Sequence, residues 1–231
     1  MNEVLRQEKK FLLNLEQYYR YSNYFAQVLK LDDHSQNDGY EIRSLYFDSL
    51  DDRDFQEKED GIETRRKIRL RNYGANSSFA MLEMKQKQGA LQKKRSLKMN
   101  QDDALALING NYGVLLKYPE AFARECYTMM NIHCYRPVCV VSYQRKAFVA
   151  KENKIRITFD HHIVANESDF NIFSADLLQN PVLDPYLVVL EVKYNGFLLS
   201  YIKDVINVID RSETSVSKYC LGRSVSKHYL F

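Results

Sequence analysis

Residues 65–74 of the chain read RRKIRLRNYG. Taken in twos, Arg65, Lys67, Arg69 and Arg71 fall on one side of an extended chain. Ile68 and Leu70 fall on the other side, with Arg66 as the exception. This is a strand with one apolar face and one face made only of cations. In a sheet packed on helices, such a face meets water and needs no function. In a sheet that turns its polar face inward, the same row becomes an anion site.

The pattern recurs along the chain. Arg6, Glu8 and Lys10 share one parity, and Glu83, Lys85 and Lys87 lie opposite Leu82 and Met84. Lys93 and Arg95 share a parity in the next segment. Lys154, Arg156, Thr158 and Asp160 alternate with Ile155, Ile157 and Phe159, and Glu191 and Lys193 alternate with Leu190, Val192 and Tyr194. For a single strand, water is the simpler explanation of such a face. Strand after strand of long cations with a few carboxylates changes the balance. Two like unit charges 4 Å apart repel by roughly 4 kcal/mol at an effective dielectric near 20. A cluster of this kind needs water, interleaved carboxylates or a polyanion. Arginine forks and lysine ammonium groups suit phosphate oxygens, and Glu8, Glu83 and Glu191 suit a Mg²⁺ or Mn²⁺ ion bridging to them.

Around these strands the periodicity predicts an antiparallel α+β fold of roughly eight strands in one unit spanning residues 1–231. Strands are expected at about 5–13, 41–48, 65–73, 79–87, 91–98, 138–148, 154–164 and 187–194. Helices are expected over 15–29, over 101–109 behind an Asn100 cap, from Pro119 to Ile132, over 198–209 and through the LGRSV segment. With 8 Gly, 4 Pro and no repeat or low-complexity tract, no linker stands out.

Composition narrows the function classes. Lys and Arg number 33 against 30 acidic residues, a net charge of +3, which argues against bulk nucleic-acid binding and makes functional positive charge a local matter. Cys126, Cys134, Cys139 and Cys220 show no CxxC spacing and read as free thiols. The N-terminal MNEVLRQEKKFLL has no uninterrupted apolar run, and PYLVVLEVKYNGFLLSYI is broken by Glu191 and Lys193. A cytoplasmic location with no direct membrane insertion is expected. The His161-His162 pair lacks a ligand set for a metal, the YYRYSNYF run fits a helix core and rim, and EKED at 57–60 fits a solvated turn.

With these residues in view, the chain resembles the VTC-domain polyphosphate polymerases, within the CYTH or triphosphate tunnel metalloenzyme superfamily. The resemblance rests on RQEKKF at 6–11, SLYFDS at 44–49, RLRNYG at 69–74, LEMK at 82–85, KKR at 93–95, SYQRKAF at 142–148, KIRITFD at 154–160, LEVK at 190–193 and SKY at 217–219, in that order. It implies a closed eight-stranded antiparallel β-barrel with flanking helices, whose tunnel binds triphosphate or polyphosphate. It further implies phosphate contacts from Lys10, Arg69, Arg71, Lys85, Arg145, Arg156 and Lys193. Lys93 or Lys94 adds another, with Lys93 preferred for its parity with Arg95. Glu191 is the implied ligand of Mn²⁺ or Mg²⁺, helped by Glu8, and Ser217 and Lys218 close one tunnel end.

Two departures from the superfamily bear on the reaction. Arg6 stands where the hydrolytic members carry the first Glu of an ExExK signature, and Ser215 stands where eukaryotic VTC enzymes carry a Lys. The first favours transfer over hydrolysis. The implied activity is transfer of the γ-phosphate of ATP to inorganic polyphosphate. The alternatives are a tripolyphosphate or thiamine triphosphate hydrolase of the same fold, or a non-catalytic polyphosphate or inositol polyphosphate sensor.

Overall fold

A computed structural model of the protein describes residues 6–35, 39–89, 91–209 and 216–227. The side chain of Arg6, and Ser215, both invoked above, lie outside the described residues. The chain runs β1 (Arg6–Asn14), α1 (Leu15–Val28), β2 (Lys30–Leu31), β3 (Tyr40–Asp48), α2 (Arg53–Glu59), β4 (Thr64–Asn72), β5 (Phe79–Gln88) and β6 (Leu91–Asn100). It continues with α3 (Gln101–Ile108), α4 (Ala121–Ile132), β7 (Arg136–Val149), β8 (Arg156–Asn166), β9 (Asn180–Pro181), β10 (Leu187–Asn195), α5 (Ser200–Ile209) and α6 (Lys218–Lys227).

Local chemistry sets several of these boundaries. At the β1–α1 junction the Asn14 side chain accepts from the Gln17 backbone N–H at 2.8 Å, and the Gln17 side chain accepts from the Asn14 N–H at 3.0 Å. This reciprocal capping box satisfies two orphan donors and ends the strand. Asn100 caps α3 by accepting from the Asp103 N–H at 2.8 Å. Helix α2 has no side-chain cap of its own. The Asp48 carboxylate, at the end of β3, instead accepts from the Asp54 and Phe55 N–H groups at 2.8 and 2.9 Å. EKED at 57–60, expected as a turn, therefore begins inside a helix that a strand residue anchors.

The chain packs as two compact units. The first comprises residues 1–41, 143–163 and 183–217, and holds strands in the order β1-β10-β8-β7. The second comprises residues 42–142, 164–182 and 218–231, and holds strands in the order β7-β3-β4-β5-β6. The fold is α+β, with a large antiparallel sheet. Among the described residues its strand path ends at β1 and at β6 and does not close. The closed eight-stranded barrel expected from the resemblance is not seen among the described residues. Strand β6 carries the marks of such an edge: Lys93, Lys94 and Lys98 are all exposed, and solvated lysines discourage further strand pairing.

Each unit buries one face of its strands under helices. In the first, Phe11, Leu13, Ile157, Phe159, Leu190 and Val192 pack with Phe25 of α1 and Ile202, Ile206 and Ile209 of α5. In the second, Leu45, Ile68, Leu70, Leu82 and Met84 pack with Leu107 of α3 and Ala123, Cys126 and Met130 of α4. A fully buried side chain of this size contributes roughly 1.5–3 kcal/mol. These are the apolar parities of the sequence, so the charged parities necessarily occupy the opposite face.

One glycine fixes the backbone beside that charged face. Gly39 has φ +95°, and a Cβ there would lie 2.5 Å from the Arg145 carbonyl oxygen. Gly39→Ala therefore meets both a left-handed backbone and a main-chain collision that no rotamer relieves. We expect it to destabilise the protein by about 1–3 kcal/mol, read as a lowered urea midpoint.

Candidate functional site

Several charged groups of this face are buried. Glu83 is 3% exposed, Arg71 8%, Arg145 8%, Glu191 5% and Asp160 0%. Within RRKIRLRNYG, Arg65, Lys67 and Arg69 are half-buried and Arg71 is buried, so the cationic face closes off toward its Arg71 end. Charges buried to this degree must be compensated, and each unit does so with carboxylates set among the cations.

In the second unit the centre is Glu83 on β5. Arg69, its register partner on β4, brings Nε to 2.8 Å and Nη2 to 2.6 Å from Glu83 Oε2. Lys94 of β6 pairs with Glu83 Oε1. Burial works against the Glu83 charge, but Arg69, Arg71 and Lys94 outweigh it and hold its carboxyl far below the usual range. Burial also lowers the Lys94 ammonium, opposed by Glu83 and aided by the two arginines. Neighbouring hydroxyls orient the arginines: Arg69 Nη1 donates to Tyr46 Oη at 3.3 Å and Arg71 Nε to Ser44 Oγ at 3.1 Å.

Helix α6 lies on this polar face. The Tyr219 ring stacks on Tyr46 with centroids 5.0 Å apart, and Lys67 Nζ sits 5.2 Å from the Tyr219 ring centre. Tyr219 also donates its hydroxyl to Asp48. Burial, with Asp48 close by, pushes the Tyr219 phenol far above its ordinary range, so it stays a donor. Lys218 is the first residue of α6 and is half-buried.

Register places the lysines at 93 and 94 on opposite faces. Lys85 lies opposite Lys67 on one side and Lys94 on the other, whereas Lys93 lies opposite Gln86. Arg95 points to the helix side, where Nη2 bonds Glu125 Oε1 at 2.6 Å and Gln86 Oε1 at 2.8 Å. Parity with Arg95 therefore places Lys93 away from the arginine face, and Lys94 takes its position there. The sequence could not show this, because the β5–β6 turn fixes which lysine of the pair faces inward.

In the first unit the register pairs Lys10 with Glu191, Glu8 with Lys193 and Lys193 with Arg156. Lys10 Nζ lies 3.1 Å from Glu8 Oε1 and donates to the Val216 carbonyl at 3.2 Å. Lys193 Nζ lies 2.8 Å from Glu191 Oε1 and 3.8 Å from Glu8 Oε2. Burial lowers the Lys193 ammonium despite these two carboxylates. Arg145 forms a bidentate pair with Asp160 at 2.6 and 2.7 Å, and its Nη2 lies 3.6 Å from Glu191 Oε2. Burial disfavours that guanidinium, but Asp160 and Glu191 more than restore it. Arg156 is held by Asp32 at 2.8 Å and by the Tyr40 hydroxyl at 3.0 Å.

Strand alternation therefore gathers Lys10, Glu8, Arg145, Arg156, Glu191 and Lys193 in one cluster, and Arg69, Arg71 and Lys85 in the other. Lys154, expected to alternate with them, instead sits in a turn at φ 48°. Ser217 immediately precedes α6. The parities missed Asp160, Asp32, Tyr46 and Tyr219 as partners of these cations; Asp160 alone had a signal, its alternation with Arg156 and Thr158. Among the described residues no three His, Cys, Asp or Glu side chains form a metal cluster. Glu8 and Glu191 both reach the Lys193 ammonium.

Residues 5–227 match the VTC domain family. The chain belongs to the VTC domain family. The match takes in strands and helices of both units, and with them every cation named above. This VTC domain chain is also similar in fold to a candidate adenylate cyclase from Bacillus halodurans, at 12% identity and TM-score 0.53, covering 92% of this chain and 95% of that one. A second candidate adenylate cyclase, from Vibrio parahaemolyticus, is 10% identical with TM-score 0.53, covering 96% and 98%. No curated protein matches the sequence. Among the described residues of the VTC domain chain, no helix is long and apolar enough to cross a membrane.

The Glu83 pairing has a measurable signature. Its carboxyl is depressed in the folded state, so its contribution is complete above the ordinary glutamate value near 4.3 and is lost progressively as pH falls below it. Glu83→Gln should cost about 3 kcal/mol at pH 7. The gap between variant and native protein should narrow below about pH 4 in urea titrations. A gap independent of pH would contradict a charged Glu83.

Proposed function

We propose that this VTC domain chain is a phosphotransferase that moves the γ-phosphoryl group of ATP onto the end of a growing inorganic polyphosphate chain. The observation that carries this reading is the clustering of arginines and lysines around the buried carboxylates Glu83, Asp160 and Glu191 on the polar side of the strands. Cations clustered in this way suit a polyanion. Phosphoryl transfer asks for positioning and charge neutralisation more than for covalent chemistry from the protein.

In this reading Lys10, Arg145, Arg156 and Lys193 in one unit, and Arg69, Arg71, Lys85 and Lys94 in the other, bind phosphate oxygens. Lys94 replaces Lys93 in that role because it shares the face of Lys85. Ser217 and Lys218 contribute from the start of α6. The terminal oxygen of the acceptor bonds to the γ-phosphorus while the bond to the β,γ-bridging oxygen breaks, and ADP leaves with the electron pair. The acceptor oxygen is already ionised, so no general base is needed. Asp160 and Glu83 hold Arg145 and Arg69 in orientation before substrate arrives. Glu191 and Glu8 would hold Mn²⁺ or Mg²⁺, which when bound neutralises phosphate charge. ATP as donor fits a cytoplasmic setting.

Purified protein incubated with ATP and Mn²⁺ should yield long polyphosphate on a stained gel. Arg69→Ala and Lys94→Ala should each slow synthesis about 100-fold, the usual cost of one donor to a transition-state charge. The Lys94 side chain is 49% exposed, so its loss tests chemistry without emptying the core. Release of orthophosphate alone would replace this reading with a hydrolase. Tight polyphosphate binding without turnover, unchanged by Glu191→Ala, would replace it with a sensor.

A further inference from the structure

Arg66 is the one cation on the apolar parity of β4, and neither phosphate cluster uses it. Its side chain is 20% exposed, so most of it is desolvated. A guanidinium carries five N–H donors. Here its hydrogen-bond acceptor is the Met129 thioether at 3.1 Å, a weak one. The nearest carboxylate oxygen, Asp54 Oδ1, stands at 3.8 Å, beyond hydrogen-bond reach. Asp54 already accepts the Tyr135 hydroxyl at 2.9 Å. Burial and the neighbouring Asp48 push the Asp54 carboxyl up to about 7, so near neutral pH it is only partly charged. Arg66 is thus a largely buried cation with weak protein acceptors.

It opens on a cleft of about 360 Å³ lined by Arg66, Arg124, Glu125, Thr128, Met129 and His133. Arg124 and Thr128 are one helical turn apart on α4, and His133 caps its end. Arg124 Nη1 is steadied by the Pro119 carbonyl at 2.9 Å. The single acid of the lining, Glu125, is claimed by Arg95 on both oxygens. The cleft therefore presents two guanidinium groups, an imidazole and a hydroxyl, with its carboxylate neutralised from behind.

We propose that this cleft is a second anion site, on the helix side of β4, for a small condensed phosphate of the size of diphosphate. Two forks, a hydroxyl and an imidazole match the several acceptor oxygens of a tetrahedral oxyanion, and the volume exceeds what one orthophosphate fills. Arg66 lies on the same strand as Arg69 and Arg71, on the opposite parity. The site does not depend on the phosphotransferase reading.

The test uses the full chain with methionine methyl groups labelled with ¹³C, titrated with inorganic diphosphate. The Met129 methyl, assigned from Met129→Leu, should shift and saturate. Arg124→Ala, an exposed change outside the core, should weaken that binding at least tenfold, and Arg66→Gln should do the same. Lys94→Ala should leave the Met129 response in place, so failure here and failure of the phosphotransferase reading appear in different variants. A Met129 methyl that stays still, or an affinity unchanged in Arg124→Ala, would overturn the proposal.

Discussion

A sheet face that crowds cations around buried carboxylates has to be neutralised where it stands, and much of this structure follows from that requirement. At about 4 kcal/mol per close like-charge pair, Arg69, Arg71 and Lys94 would repel one another enough to offset several buried side chains. Glu83 sits among them at 3% exposure and takes up both Arg69 and Lys94. Asp160 does the same for Arg145, and Glu8 and Glu191 for Lys10 and Lys193. Compensation is local and unequal: in the first unit Glu8, Glu191, Asp160 and Asp32 match Lys10, Lys193, Arg145 and Arg156 in number, whereas in the second Glu83 stands among Arg69, Arg71 and Lys94, so the cations outnumber the carboxylate there.

A second carboxylate organises the periphery of the same face. Asp48 accepts from the backbone N–H groups of Ser49, Asp54 and Phe55, and from the Tyr219 hydroxyl. A single buried side chain thereby starts α2 and anchors α6, whose first residue is Lys218. Gly222 lets α6 approach closely, since a Cβ there would meet Val141 Cγ2 at 2.7 Å. The placement of a proposed phosphate ligand thus rests on a strand residue far away in the chain.

Much of this was legible in the amino-acid order because a strand has a period of two. Whichever parity is apolar must meet the helices, so the charged parity of RRKIRLRNYG had only one direction to point. The registers Lys10 with Glu191 and Arg69 with Glu83 obey that rule. At Lys93 and Lys94 two adjacent lysines offer either parity, and only the β5–β6 pairing gives each its face. Strand alternation does not speak to α2, whose first N–H groups are capped by Ser49 and Asp48, just upstream, and not by the residue at the N-cap position. The closed barrel was an expectation from resemblance; alternation says which face is charged and nothing about whether the last strand meets the first.

The sequence by itself determined the α+β class, the strands and most helices, and the identity of the charged face, since these depend on local periodicity and on capping between near neighbours. Tertiary structure alone decided that several charged groups of the face are buried, which carboxylate answers which cation, that Lys94 stands in line with Lys85, and that Arg66 opens on a cleft of its own. Burial and pairing are set by residues distant in the chain, and a hydrogen bond or ion pair of about 3 Å depends on where the backbone finally brings them.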